Sequence, residues 1–463
     1  MTSHGRPLRP LGTLPSLSFA MLAGLLLILW VAGGASRADA AGQIVVRGFA
    51  WLSIVSALLL GHWKWSGRLP AVAWFFIAAL ALTLLQLVPL PPAVWSTLSG
   101  HGLIGDAAII AGQPQPWRPI AIVPGAAWNA AASLVVPGAM LFLAMQVDEQ
   151  ERARLPAVLL ILVVCSTIVG LLQFSGAGFN NPLVNDTPGQ VSGTFANRNH
   201  FALFIAMGCV LAPAWAFQGG RRPHWRGPVA LGLVLLFTLT ILASGSRAGM
   251  ILGLIALGMG LLLTLRPLRR ELRRYPRWVA PALLTAVIAV IVGFVLLSVA
   301  ADRAASISRA IAIEGDEDMR TRGLPAVLAM LRSFFPVGSG FGGFDPMFRI
   351  NEPGNLLKLT YFNHAHNDFL EIVMDGGVLG ALLIVAALLW WGIASIRAWK
   401  MDGDGLETRL GSALLLLVFV ASAFDYPARM PMMMATITLG ALWLGGGRKL
   451  STRLPLPADS QPL

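Results

Sequence analysis

Asn363-His364-Ala365-His366-Asn367-Asp368-Phe369-Leu370-Glu371 runs straight into the apolar stretch 369–396. The nine polar-rich residues hold two imidazoles, two carboxamides and two acids. The stretch behind them exceeds the roughly 20 apolar residues that carry a helix across a bilayer. A titratable cluster at the mouth of such a span is costly near lipid, so it marks a functional site by default. The junction thus predicts both a membrane-spanning helix and the place where the chemistry sits.

Composition extends this reading to the whole chain. Of 463 residues, 56% are hydrophobic and 12% charged, with a mean hydropathy of +0.71. A water-soluble domain of this length leaves too much surface exposed to hide so much apolar area. The chain is therefore read as an all-α, polytopic membrane protein forming one integral-membrane domain over residues 1–463. The net charge of +12 is spread over short loops, which is a topology signal and gives no nucleic-acid surface. Cys165 and Cys209 lie inside apolar runs and are read as packed thiols. The first apolar run lacks a small-residue cleavage site and is read as a retained helix.

About twelve runs have spanning length: 16–35, 42–61, 69–90, 126–146, 155–174, 199–218, 228–244, 247–265, 278–299, 369–396, 408–424 and 429–446. Arg47 interrupts the second. Alternate loops collect Lys and Arg, densest over 266–277, which predicts a cytoplasmic side holding both termini. The opposite side carries an outer loop, 91–125, and a large periplasmic loop, 300–362. The tail 454–463 is expected to be disordered.

Five arginines stand on the predicted outer side without a topological reason: Arg198, Arg247, Arg320, Arg322 and Arg429. Guanidinium forks match phosphate oxygens, so a lipid-linked phosphate or diphosphate is one use for them; pairing with loop acids or snorkelling to lipid headgroups is the alternative. Asn197 or Asn199 can cap the sixth span, and Asn363 or Asp368 the tenth. The glycines of Pro336-Val337-Gly338-Ser339-Gly340-Phe341-Gly342-Gly343-Phe344 lack the flanking elements of a nucleotide loop and predict a tight turn on the membrane surface. His364 and His366 lack a third ligand at metal spacing, so no metal and no cofactor are expected. A neutral imidazole oriented by Asp368 or Glu371 suits a general base.

At these residues the chain resembles the O-antigen ligase and O-antigen polymerase superfamily. His366-Asn367, nine residues, then Gly377-Val378-Leu379-Gly380 is similar to the ligase signature. Pro336 to Phe341, the Gly193-Thr194-Phe195 segment with Asn197 and Asn199, the Ser244-Gly245-Ser246-Arg247 hairpin and Asp425-Tyr426-Pro427-Ala428-Arg429 accompany it. The resemblance implies about twelve helices in a GT-C-like arrangement in the bacterial inner membrane. It implies metal-independent transfer of a glycan from a polyprenyl (undecaprenyl) diphosphate to an acceptor hydroxyl at the periplasmic face. The acceptor is a growing glycan, lipid A-core or protein. His366, Arg247 and Arg320 fall on catalytic positions; Arg322, His364, Arg198, Asn199, Asp425 and Arg429 fall on substrate-binding ones. Leu324 stands where the family usually has Trp, so Arg320 and Arg322 compete for one role. O-antigen or exopolysaccharide ligation, polymerisation and protein O-glycosylation share these motifs. A transporter is the alternative from another class, although no internal repeat supports it.

Overall fold

The computed structural model describes residues 15–60, 69–177, 179–185, 189–220, 222–279, parts of 281–296, 316–357, 362–401 and 405–446, without the side chains of 316–320. The principal helices are α1 (Leu17–Ala32), α2 (Ala41–Leu60), α3 (Ala71–Leu85), α4 (Val135–Gln146), α5 (Leu155–Phe174), α6 (Arg198–Ala216), α7 (Arg226–Ala243), α8 (Arg247–Leu272), α9 (Asp316–Phe334), α10 (Phe344–Asn351), α11 (Asp368–Lys400), α12 (Leu406–Ser422) and α13 (Pro431–Gly445). Between α3 and α4 lie short helices and a two-residue antiparallel ladder, Pro89–Leu90 with Arg118–Pro119.

Seven helices among the described residues are long and apolar enough to cross a membrane, and three shorter ones are equally apolar. The protein is a multi-pass membrane protein, nearly all helical. Eleven of the predicted runs coincide with helices. The run 278–299 is described in part, and its described residues from 281 on are helical; the tail 454–463 lies outside the described residues.

The bundle is organised around α6, whose apolar stretch is 83% buried. It packs against α5, α7, α8 and α12, while α13 closes against α12 and α4. Helices at the periphery show lipid-facing stripes instead. On α11 the exposed Leu382, Val385, Leu389, Ile393 and Ile396 recur at helical spacing, the pattern of a helix with one face in hydrocarbon. Arg47, the charge within α2, donates from Nη1 to Asn129 Oδ1 at 2.8 Å, which meets the demand that a cation in a span find a partner.

A second, smaller core covers one end of the bundle. Val327, Met330 and Phe334 of α9 pack with Phe344 and Phe348 of α10 and with Phe362. Burial of each large ring contributes about 2 kcal/mol, so this cap is held in place by apolar packing.

Candidate active site

The end of α1 and the starts of α6, α8, α11 and α13 meet at that covered end. Met432 N donates to Gly33 O at 3.1 Å and Ala196 N to Gly34 O at 3.0 Å. Three of these helix starts carry a polar side-chain cap. Asn197 Oδ1 accepts from Asn199 N, Ser246 Oγ from Gly249 N, and Asn367 Oδ1 from Leu370 N. Such caps satisfy orphan amides at about 1 kcal/mol each. For α11 the cap is Asn367, neither Asn363 nor Asp368.

The caps are also joined to one another. Ser246 Oγ donates to Asn199 Oδ1 at 2.7 Å. Asn199 Nδ2 donates to Asp425 Oδ2 at 2.8 Å, and Asn197 Nδ2 reaches the same oxygen at 3.2 Å. On the other carboxylate oxygen, His366 Nδ1 donates to Asp425 Oδ1 at 3.2 Å. Three hydrogen bonds thus run from the residue before Arg247 to His366. Burial opposes ionisation of Asp425, but the imidazoles of His200 and His366 outweigh it and hold its carboxyl well below the usual range. A carboxylate accepting from Nδ1 fixes the proton there and leaves the lone pair on Nε2.

His366 is partly exposed and sits at φ +50°. That left-handed backbone costs a non-glycine residue on the order of 1–3 kcal/mol and persists only where the surroundings dictate it. Here they do: Phe362 stands 4.9 Å from the ring and Tyr426 5.0 Å. The orienting carboxylate is Asp425, in the turn after α12, and not Asp368 or Glu371 as sequence proximity suggested. Glu371 instead takes His364, whose Nδ1 lies 2.9 Å from its Oε1, and it also accepts from Ala365 N.

Arg429 lies 3.1 Å from Glu371, 3.6 Å from Asp375 and 3.7 Å from Asp368. Its guanidinium therefore faces three acids of α11. Asp375 was not singled out from the sequence. Its spacing from Asp368 and Glu371 puts all three on one helix face, and a triplet of acids at the start of a span is the signal that could have found it.

The glycine turn 336–344, expected on the membrane surface, packs against α11. Ser339 N and Gly340 N donate to the carbonyls of Met374 and Asp375, and Val378 N donates to Pro336 O. This docking occurs at a break in α11, where Gly377 adopts φ +58°. A Cβ there would stand 2.1 Å from Pro336 O, and one on Gly338 2.3 Å from Asp375 O. Gln86, after α3, stitches the two together, donating to Asp375 O and accepting from Phe341 N.

Arg198 opens α6 and Arg247 opens α8, side by side: the Arg198 Nη1 atom lies 3.8 Å from where a Gly245 Cβ would stand. Arg247 is exposed. Arg322 is exposed in the first half of α9; Arg320 falls in the same helix, with its side chain outside the described residues. Among the described residues no group of three His, Cys, Asp or Glu is arranged to hold a metal ion. His200, which with Arg198 forms a polar cluster in the sequence at the start of the sixth span, carries no assigned role there. It is buried, 3.6 Å from Asp425 Oδ1, with its ring 5.0 Å from Tyr426.

Residues 231–385 match the family model described as O-antigen ligase. The matched stretch, about a third of the chain, holds Arg247, Arg320, Arg322, His364 and His366. Arg198 and Asn199 precede it, and Asp425 and Arg429 follow it. The match supports the O-antigen ligase and polymerase superfamily and glycan ligation or polymerisation in the broad sense. No curated protein matches the chain significantly.

Proposed function

We propose that this protein is a glycosyltransferase that moves a glycan from a polyprenyl diphosphate to an acceptor hydroxyl at the periplasmic face of the bacterial inner membrane. The observation that carries this reading is the hydrogen-bonded chain Ser246–Asn199–Asp425–His366. It fixes the arginine-bearing starts of α6 and α8 relative to a histidine whose Nε2 is set up as a base.

The roles follow from charge. The acceptor hydroxyl gives its proton to His366 Nε2 as its oxygen forms the new bond to the anomeric carbon. The bond from that carbon to the diphosphate breaks, and the diphosphate leaves with the electron pair. Arg247 and Arg198 neutralise the leaving group, with Arg320 or Arg322 reaching it from α9. Preorganised cations placed where charge develops are an effective form of stabilisation. Direct displacement inverts the anomeric centre. Arg429, ringed by acids, holds the 425–429 turn against α11, and the diphosphate falls to the other arginines. His364, held by Glu371, positions the loop beside the base.

The orientation rests on charge. Arg152, Arg154, Arg226, Arg269, Arg270, Arg397, Lys400 and Arg409 lie at or beyond the helix ends opposite the site, which favours a cytoplasmic location for that end. The test is a deletion strain examined by surface-glycan gel. Loss of the mature glycan is expected, restored by the wild-type gene and not by Arg247→Ala. An unchanged glycan profile, with solute uptake by the protein in liposomes, would favour a transporter instead.

A further inference from the structure

A cleft of about 120 Å³ opens beside the His366–Asp425 pair. Arg37, in the turn after α1, forms one wall. Asn185, Asn197, His200, Asn363 and Tyr426 form the others. Tyr426 is shared with the site, since the same ring stands 5.0 Å from His366 and 4.2 Å from His364. Whatever fills the cleft lies one side chain from the base.

The chemistry of the walls narrows the occupant. Arg37 Nε lies 2.9 Å from Asp39 Oδ1 and its Nη2 pairs with Asp39 Oδ2, so its charge is already answered. Among the described residues no carboxylate lines the cleft, which gives a cation no counter-charge there. What remains is the carboxamides of Asn185 and Asn363, each with two donor hydrogens and an acceptor, the second amide hydrogen of Asn197, whose Oδ1 caps α6 and whose Nδ2 already donates to Asp425, and an aromatic ring. His200 Nε2 lies 3.6 Å from Asp425 Oδ1, so that ring is committed to the carboxylate and leaves the cleft to the carboxamides and the tyrosine. The walls therefore ask for a neutral ligand with several hydroxyls and an apolar C–H face. The volume falls well below the roughly 300 Å³ at which pockets enclose larger organic ligands, which fits one ring and not a chain.

We propose that this cleft is a monosaccharide subsite that holds one neutral sugar ring of a glycan substrate beside His366, with Asn185, Asn197 and Asn363 reading its hydroxyls. The inference rests on the glycan-transfer reading above and adds the place where sugar identity is sensed. The ring belongs either to the donor glycan or to the acceptor.

Two arms test it on the full chain in lipid nanodiscs. In the first, glucose, galactose, N-acetylglucosamine and rhamnose are each offered at millimolar concentration, and saturation transfer to the sugar ring protons is measured. At least one sugar is expected to bind the wild type and Arg247→Ala alike. Asn185→Ala and Asn363→Ala are each expected to weaken it by about 5- to 10-fold, the worth of a neutral hydrogen bond. Asn185 is exposed, so its variant isolates binding from folding. Failure of all four sugars to bind the wild type, or unchanged binding by both asparagine variants, overturns the subsite. In the second arm, KM is measured for polyprenyl-diphosphate glycan and for acceptor. A rise confined to the donor assigns the ring to the donor; a rise confined to the acceptor assigns it there. Transfer by both variants with neither KM changed overturns the subsite and leaves the transfer reading standing. Sugar binding without transfer under any donor leaves the subsite standing and removes the transfer reading.

Discussion

Asp425 takes donors on both carboxylate oxygens, carboxamides on one, and an imidazole with the Tyr426 backbone amide on the other. That division makes Asp425→Asn informative. The new carboxamide oxygen will face Asn197 and Asn199, which can only donate from their NH₂ groups, so its own NH₂ will face His366 Nδ1. The imidazole is then forced to accept at Nδ1 and loses its lone pair at Nε2. Transfer is expected to fall about 10²- to 10⁴-fold at matched thermal stability; a normal kcat would reduce Asp425 to a structural link. Arg429→Ala should fail differently. It leaves Asp368, Glu371 and Asp375 buried without their cation, a loss of about 3–5 kcal/mol, visible as a collapse of thermal stability or of folded yield. Arg247→Lys should keep the wild-type melting temperature yet transfer nearly as poorly as Arg247→Ala, because an ammonium lacks the bidentate fork; near-normal activity would show that a point charge suffices. The sequence made most of these residues visible and not their pairing. Asp368 and Glu371 were the acids nearest His366 in the chain, but the carboxylate that reaches it is 59 residues on, and only the packing of α11 against α12 brings the two together.

The helix α11 shows what a spacing motif does physically. Its break at Gly377 lets the turn 336–344 dock backbone to backbone, and Gly338 makes the reciprocal approach from the turn. The nine residues between Asn367 and Gly377 set the distance from the cap that carries His366 to the break that anchors the turn. Gly377→Ala should therefore lower thermal stability and activity together: the positive φ alone costs on the order of 1–3 kcal/mol, and the Cβ meets Pro336 O. Gly392→Ala, on the same helix with open space around it, should leave both unchanged. Equal behaviour of the two variants in a melting assay would contradict the docking role. The elements themselves were legible, since bilayer thickness imposes a length that apolar runs must meet. The break was not, because a glycine inside an apolar run has no local signature that separates a kink from a packing contact. The partner of the glycine turn was hidden for the same reason, lying beyond a segment of polar loop in the chain.

At the scale of the whole molecule, helices of alternating direction carry basic residues to one end and a joined set of polar caps, acids and imidazoles to the other. If that polar end is periplasmic, a reporter fused after Ile350 should be active only in its periplasmic form; cytoplasmic activity there would invert the orientation. Activity should also survive a chelator such as EDTA, since arginines supply the charge neutralisation assigned to the diphosphate, and loss restored by a divalent ion would point to a metal at His364, His366 and neighbouring acids. The central claim is that His366 is the base, and it is tested most directly by turnover of purified His366→Ala and His364→Ala beside the wild type. The three proteins, matched in thermal stability, are given polyprenyl-diphosphate glycan and acceptor, and product is quantified over time. His366→Ala should lose about 10²–10⁴ in rate, with His364→Ala affected less. Normal turnover by His366→Ala, with or without loss in His364→Ala, would contradict the assignment.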